Sequence, residues 1–168
     1  DDLVGQAVAA ETDGFAAVWF THIRGVDSLI AVALAGQTTS RIELVTGVVP
    51  VHSREPLLMA QQALTAQAAC DGRLILGIGL AHPETVPRMW NHTYDRPARF
   101  MFEYLAVLLP LLNEQTVSFS GDMISTDASL ELPGVPPPSV LLAALAPRMI
   151  RMAGELADGT LLWLAGPK

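Results

Sequence analysis

One cysteine and one lysine are all that this 168-residue chain carries of those types, and each scarcity closes off a class of function. A lone Cys70 cannot form an internal disulfide, which fits a reducing compartment and leads us to expect a cytoplasmic protein. It stands directly before Asp71-Gly72 at a helix end, with no charge pattern nearby to lower its pKa. The expectation is a small buried hydrophobe rather than a reactive thiol. The one lysine is Lys168, so no lysine-bearing phosphate loop exists, and no Gly-x-Ser-x-Gly elbow occurs either. Basic residues are few overall: the net charge is −7 and the pI about 4.9. With no basic stripe, nucleic acid is not an expected partner. No uninterrupted apolar run reaches the ~18 residues of a membrane span. The strongest candidate, Leu105 to Leu112, is short and carries Pro110, so no membrane role is expected. The chain opens on Asp1-Asp2 without a basic segment or a separate apolar core, and a signal peptide is not expected.

What is present is apolar residues, 51% of the chain against 16% charged, with a mean hydropathy of +0.37. The length suffices for one core and not for two sizeable domains. Parallel strands buried on both faces produce such a composition, because they lack the polar alternation of exposed sheets. Three Asp-Gly pairs, Asp13-Gly14, Asp71-Gly72 and Asp158-Gly159, each follow a stretch of helical period and precede a short apolar run. Glycine there is expected to supply the left-handed turn that ends a helix before a buried strand begins. Repeated helix–turn–strand units are the pattern of a parallel α/β fold.

The spacing predicts strands over 16–20, 41–49, 72–78, 140–144 and 160–164. Helices are predicted over 3–12, 27–38, 56–69, from Pro97, and over 147–156. Between the third and fourth strands, residues 83–138 break the rhythm. They hold the Pro97 helix, a small hairpin over 117–126 turning at Ser120-Gly121-Asp122, and a stiff Pro133–Pro138 connector. So long a stretch reads as an insertion with a functional purpose. In parallel α/β folds the chemistry sits where strands exit, and the Asp-Gly side is the stability face.

Each of the first three strands is followed by a histidine, and His22, His52 and His82 are spaced thirty residues apart. They would meet on one rim of a parallel barrel. Two readings compete: convergence on a metal, or separate roles in acid/base work, cofactor contact and helix capping. No His-x-His pair or companion carboxylate accompanies them, so a metal site is not expected. His92, in the insertion, is expected to be exposed. Gly77-Ile78-Gly79 lacks the third glycine of a dinucleotide fingerprint, since position 82 is His. These glycines instead allow a backbone or a flat ring to approach closely. Gly47, late in an apolar strand, marks a bulge that is either structural or part of a site. Trp19, Trp90 and Trp163 are expected as core or loop anchors.

Several runs taken together resemble the luciferase-like monooxygenase family, in its deazaflavin (coenzyme F420) branch. They are Arg41–Pro50, Gln61-Gln62-Ala63, Asp71–Gly79, Tyr94-Asp95-Arg96-Pro97, Glu103-Tyr104-Leu105, Ala143–Met149 and Ala153–Gly159. The resemblance spans essentially the whole chain and implies a partial (β/α)₈ TIM barrel. The first strand and the last two would lie outside the chain, and residues 1–168 would form a single domain with its insertion between barrel strands 4 and 5. It implies an oxidoreductase passing hydride between coenzyme F420 and a small organic substrate, with FMN and oxygen in a monooxygenase reaction as the alternative. A non-catalytic fragment that binds flavin weakly or not at all is the other alternative. It implies a homodimer for the intact protein. It places a cis peptide at Gly47-Val48 against the cofactor ring and implies cofactor contacts from Thr21, His22, Ala81, His82, Leu145, Ala146, Ala165 and Gly166. His22 matches a histidine near the reactive ring carbon, and its near-neutral pKa suits proton delivery beside hydride transfer. Ala81 stands where that branch tends to have serine, Ala146 where it has glycine, and Glu55 where it has histidine.

Overall fold

In the computed structural model, which describes residues 2–165, the chain folds as one parallel sheet sheathed by helices on one face. The elements run α1 (Leu3–Thr12), β1 (Ala17–Phe20), α2 (Ser28–Gly36), β2 (Glu43–Thr46), β3 (Val49–Pro50), α3 (Pro56–Ala69), β4 (Leu74–Gly79) and α4 (Thr85–Trp90). They continue with α5 (Pro97–Asn113), β5 (Thr116–Ser120), β6 (Ser125–Ser129), β7 (Ser139–Ala143), α6 (Pro147–Leu156) and β8 (Gly159–Leu161). The sheet order is β1-β2-β4-β7-β8, with β3 also paired to β4, and every pairing in it is parallel. A short 3₁₀ turn, Val51–Ser53, joins β3 to α3.

The two faces of the sheet differ. Leu44, Leu74, Leu76, Ile78, Val140 and Leu142 point outward into the main core, against Met59 and Leu64 of α3 and Leu105 and Leu108 of α5. The inner face carries Trp19, Val45 and Ile75 in direct register across β1, β2 and β4. Helix α5 packs against both α3 and α6, so it is the crossover that carries the chain from β4 to β7. The 83–138 stretch therefore contains a helix of the regular βα pattern, with α4 and the β5–β6 hairpin added around it. Glu103, fully buried on α5, fastens that hairpin: its carboxylate accepts the N–H groups of Asp122, Met123 and Ile124 and the Arg99 Nε–H. Those bonds hold its pKa at about 2 despite burial, which by itself would raise it.

Four expectations need correction. The strand expected over 41–49 is two pieces, because Gly47-Val48 bulges out of the ladder between β2 and β3. The last strand ends at Leu161 rather than Leu164; beyond it the chain bends, with Leu164 at φ 51°. The third Asp-Gly pair is not a left-handed helix stop. Gly14 and Gly72 sit at φ 84° and 78°, whereas Gly159 opens β8 in ordinary strand geometry. Asp158 there accepts the Val140 N–H at 2.7 Å, tying β8 to the start of β7. Trp19 and Trp163 are also not core anchors: both lie on or beside the sheet's outermost strands and are 51% and 72% exposed. Cys70 is buried, as expected, and burial pushes its thiol pKa up.

Candidate active site at the carboxyl ends of the strands

All strands of the parallel sheet point one way, so the residues that follow them gather along one edge. Thr21 and His22 follow β1, Gly47 and Val48 lie between β2 and β3, Ala81 and His82 follow β4, and Leu145 and Ala146 follow β7. Ala165 follows β8; Gly166 lies outside the described residues. Thr21, His82, Leu145, Ala146 and Ala165 are exposed, while Ala81, His22, Gly47 and Val48 are partly covered. The His82 carbonyl accepts the Thr85 and Val86 N–H groups at 2.9 and 3.2 Å, so it starts α4.

The Gly47-Val48 peptide is cis, as the resemblance implied. The Val48 side chain leans over Gly79, where an added Cβ would come within 2.8 Å of Ala143 Cβ and 3.1 Å of Val48 Cγ2. Only glycine fits there, because the Val48 and Ala143 side chains close directly over its backbone. The partly covered Gly47-Val48 bulge is the kind of surface against which a planar ring system packs, and in this respect the residues present fit a deazaflavin or flavin. Thr46 keeps the bulge in place. Its buried hydroxyl donates to the Gly77 carbonyl and accepts the Gly77 N–H, both at 2.8 Å, standing in for the interrupted ladder.

His22 is the one titratable group of the edge enclosed in a polar network. Its Nδ1 lies 3.0 Å from Ser28 Oγ and 3.1 Å from the Ser28 backbone N, and its Nε2 lies 3.2 Å from Arg54 Nη1. Burial, followed by the Arg54 charge, lowers its pKa, with Asp27 opposing. At neutral pH the ring is therefore uncharged. Asp27 caps α2 with one carboxylate oxygen and pairs with Arg54 through the other. Arg54 had no place in the reading of the sequence and Asp27 entered it only as a helix start, because Arg54 is thirty-two residues from His22 and only the fold joins them.

His52 does not share in this. It is buried in the turn after β3, stacked on Phe100 at 4.8 Å and Tyr94 at 5.7 Å, with no hydrogen-bond partner at Nδ1. Desolvation, then the His92 charge, brings its pKa down to about 4. Among the described residues, no three His, Cys, Asp or Glu side chains come together as metal ligands would. His92 is exposed.

Two adjoining open grooves of about 430 and 320 Å³ lie beside the edge, where α5 and α6 begin. Arg96, Arg99, Arg148 and Arg151 line them together with Asp122 and Glu155; Arg96 and Arg99 are paired with Asp122 and Glu103, whereas Arg148 and Arg151 carry no ion pair among the described residues. Helix N-termini and guanidinium groups together favour an anionic group. Fifty residues separate the two pairs in sequence, and no linear motif announced the cluster.

The whole chain, residues 1–168, matches the family model described as luciferase-like monooxygenase. An uncharacterized protein of Mycobacterium tuberculosis is 32% identical over 164 residues, covering 92% of this chain and 48% of that protein. The F420-dependent hydroxymycolic acid dehydrogenase of the same organism is 29% identical over 180 residues, covering 98% of this chain and 49% of its own length. Among solved structures, the coenzyme F420 dependent tetrahydromethanopterin reductase from Methanopyrus kandleri superposes with a TM-score of 0.82 at 23% identity, over 95% of this chain and 51% of that one. The chain thus spans about half the length of the relatives it matches.

Proposed function

Because the chain belongs to the luciferase-like monooxygenase family, we propose that it forms the coenzyme-bearing half of a cytoplasmic F420-dependent oxidoreductase. The reaction is hydride transfer between the deazaflavin ring and a small organic substrate. The observation that carries this reading is the cis Gly47-Val48 bulge at the strand exits, with Val48 packed on Gly79 and His22 following the neighbouring strand β1. The F420-dependent relative favours deazaflavin over FMN.

The hydride chemistry is the coenzyme's own; the chain's part is placement, dryness and proton handling. Gly47 and Val48 would back the ring, and Thr21, Ala81, His82, Leu145, Ala146 and Ala165 would border it. Arg148 and Arg151, on the first turns of α6, would offer a seat for the coenzyme's anionic arm. His22 moves the proton. Because its ring is neutral at physiological pH, it is poised to take a proton from a substrate hydroxyl as hydride leaves the adjacent carbon. This favours the alcohol-oxidising direction.

Helix α2 contains no charged residue and exposes Ile30 and Leu34 at 61% and 57%, beside the exposed Leu58 of α3. An apolar helical face of this kind supports a homodimer. The test is to titrate the purified chain with F420 and with FMN, reading ring fluorescence and gel filtration together. Saturable F420 binding by a dimer is the expected result. Tight FMN binding with oxygen-dependent turnover would establish the monooxygenase alternative. No binding, with aggregation, would leave a non-catalytic fragment.

A further inference from the structure

His22 sits between two groups that can only donate. The Ser28 backbone N–H faces Nδ1 at 3.1 Å and the Arg54 guanidinium faces Nε2 at 3.2 Å. A neutral imidazole has one lone pair to offer them and an imidazolium has none. Ser28 Oγ, at 3.0 Å, is the only neighbour of the ring in this network that could accept a proton from it. Arg54 is not free to drift away. Its Nε donates to Gln62 Oε1 at 2.6 Å, its Nη1 also donates to Ser53 Oγ at 3.1 Å, and its Nη2 is held by Asp27. Its backbone carbonyl accepts the Tyr104 hydroxyl of α5 at 3.0 Å. The side chain is 8% exposed, and its guanidinium is fixed from three elements at once.

We propose that Arg54 is a positioning residue for His22: its guanidinium sets the ring's orientation and holds it in the neutral, proton-accepting state. Proton uptake at Nε2 then requires the guanidinium to withdraw toward its other partners, Asp27, Ser53 and Gln62. The Asp27 carboxylate serves twice, as the cap of α2 and as the anchor that sets where Arg54 rests. Arg54 and Asp27 are the charged groups that act on the ring, with opposite signs. This inference rests on the acid/base role proposed for His22, but its central test does not.

The test follows the His22 ring carbon and nitrogen signals by NMR across pH in the isotopically labelled full chain. Arg54→Met removes the charge and the donors while keeping an unbranched side chain of similar length. The His22 midpoint is expected to move to higher pH. Asp27→Asn keeps a helix-capping side chain and removes the counter-charge, so the midpoint is expected to move lower. Arg54→Lys keeps the charge without the fork, so the midpoint stays low while the nitrogen shifts report a changed tautomer ratio. An unmoved midpoint in Arg54→Met would overturn the proposal. Should that variant fail to fold by circular dichroism, Asp27→Asn decides, and a midpoint unchanged or raised there is the overturning result. Shifted midpoints with an unshifted pH profile of F420 reduction would instead sink the role given to His22 and leave the positioning intact.

Discussion

At the amino ends of the parallel strands, Glu11, Arg73 and Asp158 each fill a gap in the backbone with several or well-aimed hydrogen bonds. Glu11 takes the N–H groups of Ser40, Arg41 and Ile42 ahead of β2, which holds its pKa at about 2. Arg73 donates to the carbonyls of Gly36, Thr39 and Ile42 and to the Thr39 hydroxyl. At the carboxyl ends, the polar groups are set against one another or left alone. His22 faces two donors, His52 Nδ1 has no partner, and Leu145 and Trp163 stand in solvent. One end of the sheet is arranged for stability; the other retains unspent interactions, which is what a ligand requires.

The comparison breaks most readily at Arg73. Arg73→Met leaves three carbonyls without their donor, and a loss of about 3 kcal/mol is expected in urea unfolding. His22→Gln, at the opposite end, is expected to cost under ~1 kcal/mol while abolishing proton-coupled hydride transfer. Equal costs for the two would erase the distinction between the ends. Thr46 lies between them in effect. Thr46→Val strands both the N–H and the carbonyl of Gly77, a loss of about 2 kcal/mol. Thr46→Ser keeps both bonds and is expected to cost less than half of that, measured in the same way.

The amino end was the more legible in sequence, for a physical reason. Its Asp-Gly turns are local devices, encoded within a few residues, as are the Asp27 cap and the Pro56 and Pro147 helix starts that follow strands at the opposite end. The strands they delimit were therefore found in the right order. The carboxyl end is built from distant residues. Arg54 reaches back to His22, and Arg96 and Arg99 meet Arg148 only after the chain has passed through the hairpin and β7. The bulge was signalled by a glycine late in an apolar strand and its cis peptide by family resemblance, while periodicity alone ran straight through it. Helix α4 was missed because it is short and carries Pro87. Leu162, Trp163 and Leu164 read as strand because they are apolar, yet apolarity does not specify pairing, and no strand is hydrogen-bonded beyond β8 among the described residues.

Acid separates the two ends by pH window. His52 has a folded pKa near 4, below the ordinary 6.5, and that of His22 is shifted in the same direction. Between those values the unfolded chain binds a proton that the folded chain refuses, so stability is complete above pH 6.5 and falls as pH drops. The slope for one such group reaches at most about 1.4 kcal/mol per pH unit. Glu11 and Glu103 behave as depressed carboxyls, lowered from 4.5 to about 2. Their contribution is present above pH 4.5 and is lost only on going toward 2. Urea unfolding between pH 6.5 and 4.5 therefore reads the carboxyl end, and below 4.5 it reads the two glutamates as well. A stability flat from 6.5 to 4.5 would contradict this order.

The smallest effect is the most selective. His52→Phe keeps the stack on Phe100 and Tyr94 while removing the unpartnered Nδ1. At pH 7 the change in stability is expected to stay within ~1 kcal/mol, because an aromatic ring of similar shape replaces a polar atom that had no bond to lose. Its signature lies in the pH slope. If His52 is the principal acid-sensitive group of the carboxyl end, the decline between pH 6.5 and 4.5 shrinks in the variant and the decline below 4.5 is unchanged. A slope that survives intact assigns that window to His22 and its contact with Arg54 instead, and the Arg54→Met protein should then be the one that flattens it.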